Sequence, residues 1–144
     1  MFLGMPRMTD LVLDTHVFIW LMMGDSTLPL KIRETIADSL SNANVSLSAI
    51  SCWEIAMLEQ RGRIVLTEPC LKWIETGLHR SGIQILELTP EISVESCNLP
   101  GEIHGDPADR MIIAGARLSN STLITRDKII LNYAKKHYLR VMKA

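Results

Sequence analysis

Residues 9–24 read TDLVLDTHVFIWLMMG: a short apolar run, an acid and a longer apolar run in direct succession. The first run, Thr9 to Leu13, is typical of a buried strand, and the second, Thr15 to Met23, of a helix that ends at Gly24. Asp14 lies between the two. Because a carboxylate is costly to bury among apolar groups, we consider two roles for Asp14: the N-cap of the helix or a member of a functional site.

Three further acids stand where a strand or loop gives way to a helix: Glu54, Asp109 and Asp127. The remaining pattern predicts alternating elements, with strands at 45–48, 83–88, 122–125 and 138–141 and helices at 28–41, 51–61, 69–82, 90–97, 106–118 and 128–135. Such alternation favours a parallel sheet covered by helices on both faces. The carboxyl ends of its strands form one edge, where we expect the four acids to converge.

Composition sets the class of protein. A chain of 144 residues that is 47% hydrophobic fits one compact domain, which we place at residues 9–144, after a disordered lead at 1–8. The longest apolar run is too short to span a bilayer, and the first ten residues lack the pattern of a secretory leader. Three cysteines without a C-x-x-C motif indicate reduced thiols. We therefore expect a cytoplasmic protein with no membrane association.

Charge is distributed unevenly along the chain. Residues 126–144 carry six Lys or Arg against one acid, a net charge of +5, whereas residues 1–125 carry a net charge of −6. The whole protein is therefore not a basic nucleic-acid binder, although its basic end can hold a phosphate backbone locally. A solvated helix face explains the same charges equally well.

Each candidate acid also has a purely structural explanation. Ser51-x-x-Glu54 fits a capping box, in which Glu54 would bond back to the N-cap amide. Asp106 fits an N-cap before Pro107, and Asp109 in the first turn would interact favourably with the helix dipole. Asp127 could likewise cap the helix that follows it.

Four segments together, LVLDTHVFIW (11–20), SAISCWEIAMLEQRGRI (48–64), HGDPADRMIIAGA (104–116) and LITRDKIILNYA (123–134), resemble one family. They are similar to PIN-domain proteins of the VapC type, the ribonuclease toxins of toxin–antitoxin pairs. The resemblance implies a three-layer α/β/α fold with a central parallel sheet and Mg²⁺- or Mn²⁺-dependent cleavage of RNA. It also implies a cognate antitoxin as partner and, with the high apolar content, a homodimer.

The resemblance assigns roles to residues of this chain. The catalytic acids fall on Asp14, Glu54, Asp109 and Asp127. Asp14, Asp109 and Asp127 would hold the metal, with Glu54 acting through water. The outer positions fall on Asp106 and Thr125. Arg110 and Arg126 adjoin catalytic acids and are candidates for phosphate contacts, although structural ion pairs would place arginines there as well.

Two other functions fit parts of the sequence. A haloacid-dehalogenase-like phosphotransfer enzyme also begins with an aspartate after an apolar strand, but its second aspartate would fall on His16. A catalytically silent PIN-like module that only binds RNA or protein is the non-enzyme alternative. The intact set of acids argues against the silent module.

Overall fold

The computed structural model describes residues 9–144, so the disordered lead predicted at 1–8 lies outside the described residues. Within them, five strands alternate with seven helices. The strands are β1 (Leu11–Leu13), β2 (Val45–Ser48), β3 (Gln84–Leu86), β4 (Thr122–Thr125) and β5 (Val141–Lys143). The helices are α1 (Thr15–Met23), α2 (Leu30–Asn42), α3 (Ala49–Gln60), α4 (Cys70–Ser81), α5 (Pro90–Cys97), α6 (Pro107–Leu118) and α7 (Lys128–Ala134). In this part of the chain, every helix is too short or too polar to cross a membrane.

The five strands form one sheet in the order β3-β2-β1-β4-β5, and every neighbouring pair is parallel. Strand β1 is central, so its side chains are covered on both faces and all three are buried. This explains why LVL is apolar at consecutive positions and does not alternate with polar residues. The predicted parallel sheet is confirmed.

Each face of the sheet has its own apolar core. Leu11 and Leu13 of β1 pack with Phe18 of α1 and Ile36 of α2 in one cluster. Val12, which points to the opposite face, packs in a second cluster with Ile112 of α6 and other residues of the α6 and α7 side. Helices on both faces of a parallel sheet make three layers, as predicted.

The register of the sheet aligns the carboxyl ends of three strands. Leu13 is level with Leu47 of β2 and Ile124 of β4, so all three strands reach the carboxyl edge together. The residue that follows β1 is Asp14, whose amide donates to the Ile124 carbonyl at 2.9 Å. Asp14 is therefore fixed by the sheet between the ends of its two neighbours.

The last strand differs from the prediction. The sequence predicts a strand over 138–141, whereas β5 begins only at Val141. Tyr138 stacks on Tyr133 instead, with ring centroids 5.6 Å apart. His137 has a φ of +65°. The strand begins after this turn, which the sequence does not indicate because a positive φ is uncommon at residues other than glycine.

Candidate active site

Five carboxylates line one pocket of about 250 Å³ at the carboxyl edge of the sheet: those of Asp14, Glu54, Asp106, Asp109 and Asp127. Each of the four acids singled out from the sequence therefore reaches the pocket, together with Asp106. Arg126 is the one arginine in its lining, and His16 is also present. Acidic side chains thus outnumber basic ones in this small pocket.

Asp14 is buried and held at both carboxylate oxygens. Its Oδ1 accepts from the Thr15 amide at 2.8 Å, so Asp14 is the N-cap of α1 as well as a pocket residue. Its Oδ2 accepts from the Thr125 hydroxyl at 2.6 Å. Burial raises the pKa of Asp14 above its usual value, and the two hydrogen bonds oppose that rise. Asp14 therefore has both roles that we considered from the sequence, because it caps α1 and also lies in the candidate site.

Thr125 links two acids from the end of β4. Its hydroxyl donates to Asp14 and accepts from the Asp127 amide at 3.0 Å, and the residue is fully buried. Asp127 is the N-cap of α7, with Oδ1 accepting from the Ile129 and Ile130 amides at 2.9 and 3.1 Å. Its cap role, considered from the sequence, is confirmed.

Glu54 is not part of a capping box, so that sequence interpretation is wrong. Helix α3 begins directly after β2, and the N-cap is Ser48, whose hydroxyl accepts from the Ile50 amide at 3.3 Å. Glu54 instead accepts from the Thr15 hydroxyl at 2.6 Å. Its pKa is raised by burial and by the charges of Asp14 and Asp106, against the hydrogen bond from Thr15.

Thr15 and Ser51 are site residues that the sequence interpretation missed. The Thr15 and Ser51 hydroxyls lie 2.8 Å apart, and both residues are buried. Since a threonine hydroxyl has one proton, Thr15 can donate to Glu54 only if Ser51 supplies the proton between the two hydroxyls. The position of Thr15 directly after Asp14 was the one available signal.

Asp106 and Asp109 occupy the first turn of α6. Asp106 is the N-cap and accepts from the Asp109 amide at 2.9 Å. Within residues 9–144, the Asp109 carboxylate itself accepts no hydrogen bond. Burial, followed by the charges of Asp106, Asp14, Asp127 and Glu54, raises the pKa of Asp109 to about 7. Asp109 is therefore half protonated near neutral pH, unless a cation offsets the surrounding charge.

The two candidate arginines have different surroundings. Arg126 lines the pocket and lies over the Trp20 ring at 4.6 Å, while its guanidinium donates to the Ala144 carbonyl at 2.9 Å and the Thr27 carbonyl at 2.6 Å. Arg110 is not among the pocket residues. Its guanidinium donates to the Ser96 and Ile103 carbonyls. The structure therefore brings Arg126 to the site and turns Arg110 to the backbone beside it.

The chemistry of the donor set fits a hard divalent cation. All five acids offer oxygen, and Asp109, whose pKa is raised by burial and by its neighbours, would be stabilised in its charged form by such an ion. Within residues 9–144, however, no three His, Cys, Asp or Glu side chains are already arranged as a compact metal-binding group. A cation held here would therefore bind through water or through shifts of these side chains, as Mg²⁺ often does.

Two comparisons with known protein sequences agree on one family. The family model described as PIN domain matches residues 11–136. Ribonuclease VapC22 of Mycobacterium tuberculosis (strain ATCC 25618 / H37Rv) is 31% identical over 122 residues, which make up 84% of this chain and 89% of that protein.

Two solved structures extend the comparison to three dimensions. VapBC2 from Rickettsia felis, bound to a DNA fragment from its promoter, aligns with a TM-score of 0.69 and 16% identity over 93% of this chain and 98% of its own. VapBC-5 from Mycobacterium tuberculosis, a toxin–antitoxin system, aligns with a TM-score of 0.59 and 16% identity over 96% and 100%. At these identities, the likeness concerns the fold.

Proposed function

Because this chain belongs to the PIN-domain family, we propose that it is a metal-dependent endoribonuclease, the toxin of a toxin–antitoxin pair. The observation that carries the proposal is the convergence of five carboxylates on one pocket, where burial and then the neighbouring carboxylates raise the pKa of Asp109 to about 7. Its 31%-identical relative carries the name ribonuclease, and that relative covers most of this chain.

The residues of the pocket have two kinds of role in the proposed reaction, metal binding and positioning. Asp14, Asp109 and Asp127 would hold Mg²⁺ or Mn²⁺, with Glu54 acting through water. When bound, such a cation lowers the pKa of water and stabilises the leaving oxygen of a phosphodiester. Thr125 is a positioning residue, because its hydroxyl fixes the Oδ2 atom of Asp14. Thr15 positions Glu54 in the same way.

Arg126 contributes positive charge at the wall of an otherwise acidic pocket. Its guanidinium is held by two backbone carbonyls and by the Trp20 ring, so it loses little freedom when it meets a phosphate. It is therefore the arginine that we assign to the phosphate. Arg110, which is bonded to two carbonyls outside the pocket lining, is assigned to holding the start of α6.

The test is RNA cleavage by the purified chain with Mg²⁺, with Mn²⁺ and with EDTA. We expect cleavage only with metal, and a loss of the order of 10³-fold or more in Asp14→Asn and in Asp109→Asn, without additivity, because the acids act as one unit. Asp38→Asn, an exposed carboxylate of α2, is the matched control. Near-normal cleavage by a folded Asp14→Asn protein would refute the proposal.

We also propose that the chain forms a homodimer and binds an antitoxin segment through apolar surface. Large apolar side chains are left exposed on three helices: Leu30 of α2, Trp53 of α3 and Leu71 of α4 are 70%, 52% and 70% exposed. Such surface is typical of protein interfaces. Light scattering should give twice the chain mass, and a monomer at every micromolar concentration would contradict the dimer.

A further inference from the structure

Four of the six lysines of the chain line a single groove: Lys128, Lys135, Lys136 and Lys143. The groove has a volume of about 830 Å³ and runs between α7, the end of β5 and the segment 102–104. All four lysines are exposed, and within residues 9–144 none of them forms an ion pair. The positive charge of the groove is therefore available to a partner.

The groove adjoins the acidic pocket along two walls. On one wall, Asp127 of the pocket is the N-cap of α7, whose first residues, Lys128 and Ile129, already belong to the groove. On the other wall, His104 of the groove is separated from Asp106 of the pocket by a single glycine. The linings of the pocket and the groove are therefore joined by short stretches of chain at two places.

The lining combines two kinds of contact. Ile129, which is 48% exposed, and Leu131 supply apolar surface, whereas Ile103 and Tyr133 also line the groove but are only 9% and 4% exposed. The lysines supply positive charge, and Glu102 is the acid of the lining. Grooves that track a single nucleic-acid strand pair basic side chains for its phosphates with apolar or aromatic surface for its bases.

We propose that this groove binds the single-stranded RNA that flanks the scissile phosphate. The inference rests on the proposed nuclease function of the neighbouring pocket. It adds a substrate class, a strand several nucleotides long and not a dinucleotide, and it gives the basic carboxyl-terminal segment a role. Because phosphate contacts release counterions, each lysine that meets a phosphate contributes roughly 0.7 to the slope of log affinity against log salt.

The test compares two double variants with the same change of charge. Lys135→Gln/Lys136→Gln removes two groove lysines, and Lys31→Gln/Lys72→Gln removes two exposed lysines of α2 and α4. Both are made in the Asp14→Asn chain, so that a fluorescein-labelled oligouridylate of about twenty nucleotides is bound without being cut. Fluorescence anisotropy is recorded across a range of NaCl concentrations.

We expect the groove pair to weaken binding at low salt by roughly tenfold and to flatten the salt slope by about 1.4, with little change in the control pair. In the cleavage-competent chain, the groove pair should raise KM for the same RNA, and the control pair should not. Equal salt slopes in the two pairs would overturn the proposal. So would unchanged RNA binding together with weakened binding of an acidic antitoxin peptide, which would make the groove a protein-docking surface.

The failure of this proposal and that of the nuclease proposal look different. If the wild-type chain does not cut RNA, but binding still depends on Lys135 and Lys136, the nuclease function fails and the groove stands. If the wild-type chain cuts RNA and the two double variants bind alike, only the groove fails. The binding titration decides the second question without any catalytic readout.

Discussion

The strand side and the helix side of the acidic pocket hold their carboxylates in different ways. On the strand side, Asp14 and Asp127 each accept two hydrogen bonds, and Thr125 connects them. On the helix side, Asp109 accepts none within residues 9–144, and its pKa is raised to about 7. Asp14 and Asp127 are therefore fixed by hydrogen bonds before any ligand binds. The charge of Asp109, in contrast, depends on the cation or ligand that it contacts.

Two physical causes produce this difference. The strand side is built from the ends of β1 and β4, where the sheet fixes the backbone and brings hydroxyl and amide donors to the acids. Asp109 lies in the first turn of α6, and its own amide donates to Asp106. An acid without donors among other acids gains most from a cation, because only a cation can offset its repulsion.

Among the changes to the strand side of the pocket, removal of the Thr125 hydroxyl should reduce cleavage most. Thr125→Val keeps the shape but leaves Asp14 Oδ2 and the Asp127 amide without their partner. We expect cleavage to fall about 10–100-fold, the range typical of groups that orient metal ligands, and stability to fall by about 1–3 kcal/mol. Thr122→Val, at the other end of β4, is the matched control. Equal activity in the two variants would mean that Asp14 is fixed without Thr125.

Removing the Thr15 hydroxyl should have a smaller effect. Thr15→Val frees Glu54, which would act through water and therefore tolerates more movement than a direct ligand. We expect a loss near or below the low end of the 10–100-fold range. Thr35→Val, which removes a hydroxyl bond to the Lys31 carbonyl on α2, controls for loss of a helical threonine. A loss larger than that of Thr125→Val would place the main support of the site on Glu54 and reverse the comparison.

The helix side should respond to pH in a metal-free melting series. Because the pKa of Asp109 rises from 3.8 to about 7 in the folded protein, the folded chain keeps a proton that the unfolded chain releases. Stability therefore decreases as pH rises through this window. Asp109→Asn should melt above wild type at about pH 8 and close to it near pH 4, with about 1 kcal/mol corresponding to roughly 2–4 °C.

Metal should reverse the order of the two proteins. Mn²⁺ or Mg²⁺ that binds the folded state raises its melting temperature, and wild type should gain more than Asp109→Asn. Asp38→Asn should follow wild type throughout. The same metal-induced rise in wild type and Asp109→Asn would show that Asp109 does not belong to the metal site.

The fold was largely predictable because its signals are local. Strands β2 and β4 and helices α1 and α5 were predicted with the bounds that the structure has. Each is a short apolar run next to a clear start or stop, such as Gly24 after α1. Strand β5 was misplaced because it pairs with β4 alone, at the edge of the sheet, and the turn at His137 decides where it begins.

The acids of the site and one support, Thr125, were predictable, whereas the supports Thr15 and Ser51 were not. Asp14 and Asp127 are marked by their place after a strand, and all of the predicted acids reach the pocket. Ser51-x-x-Glu54 matched a capping pattern by chance, because Ser48 at the end of β2 already caps the helix. The contact between Thr15 and Glu54 joins residues 39 positions apart, and no pattern along the chain reports such a pair.

The pairing of β1 with β4 also determines when the acidic pocket can be completed during synthesis of the chain. The hydrogen bond from Thr125 to Asp14 joins residues 111 positions apart, and β1 lies between a strand made early and one made late. Contacts this distant form slowly, because a long loop must close first. A nascent chain on the ribosome therefore lacks the complete pocket until β4 and Asp127 have emerged, and a product truncated before β4 lacks both Thr125 and Asp127.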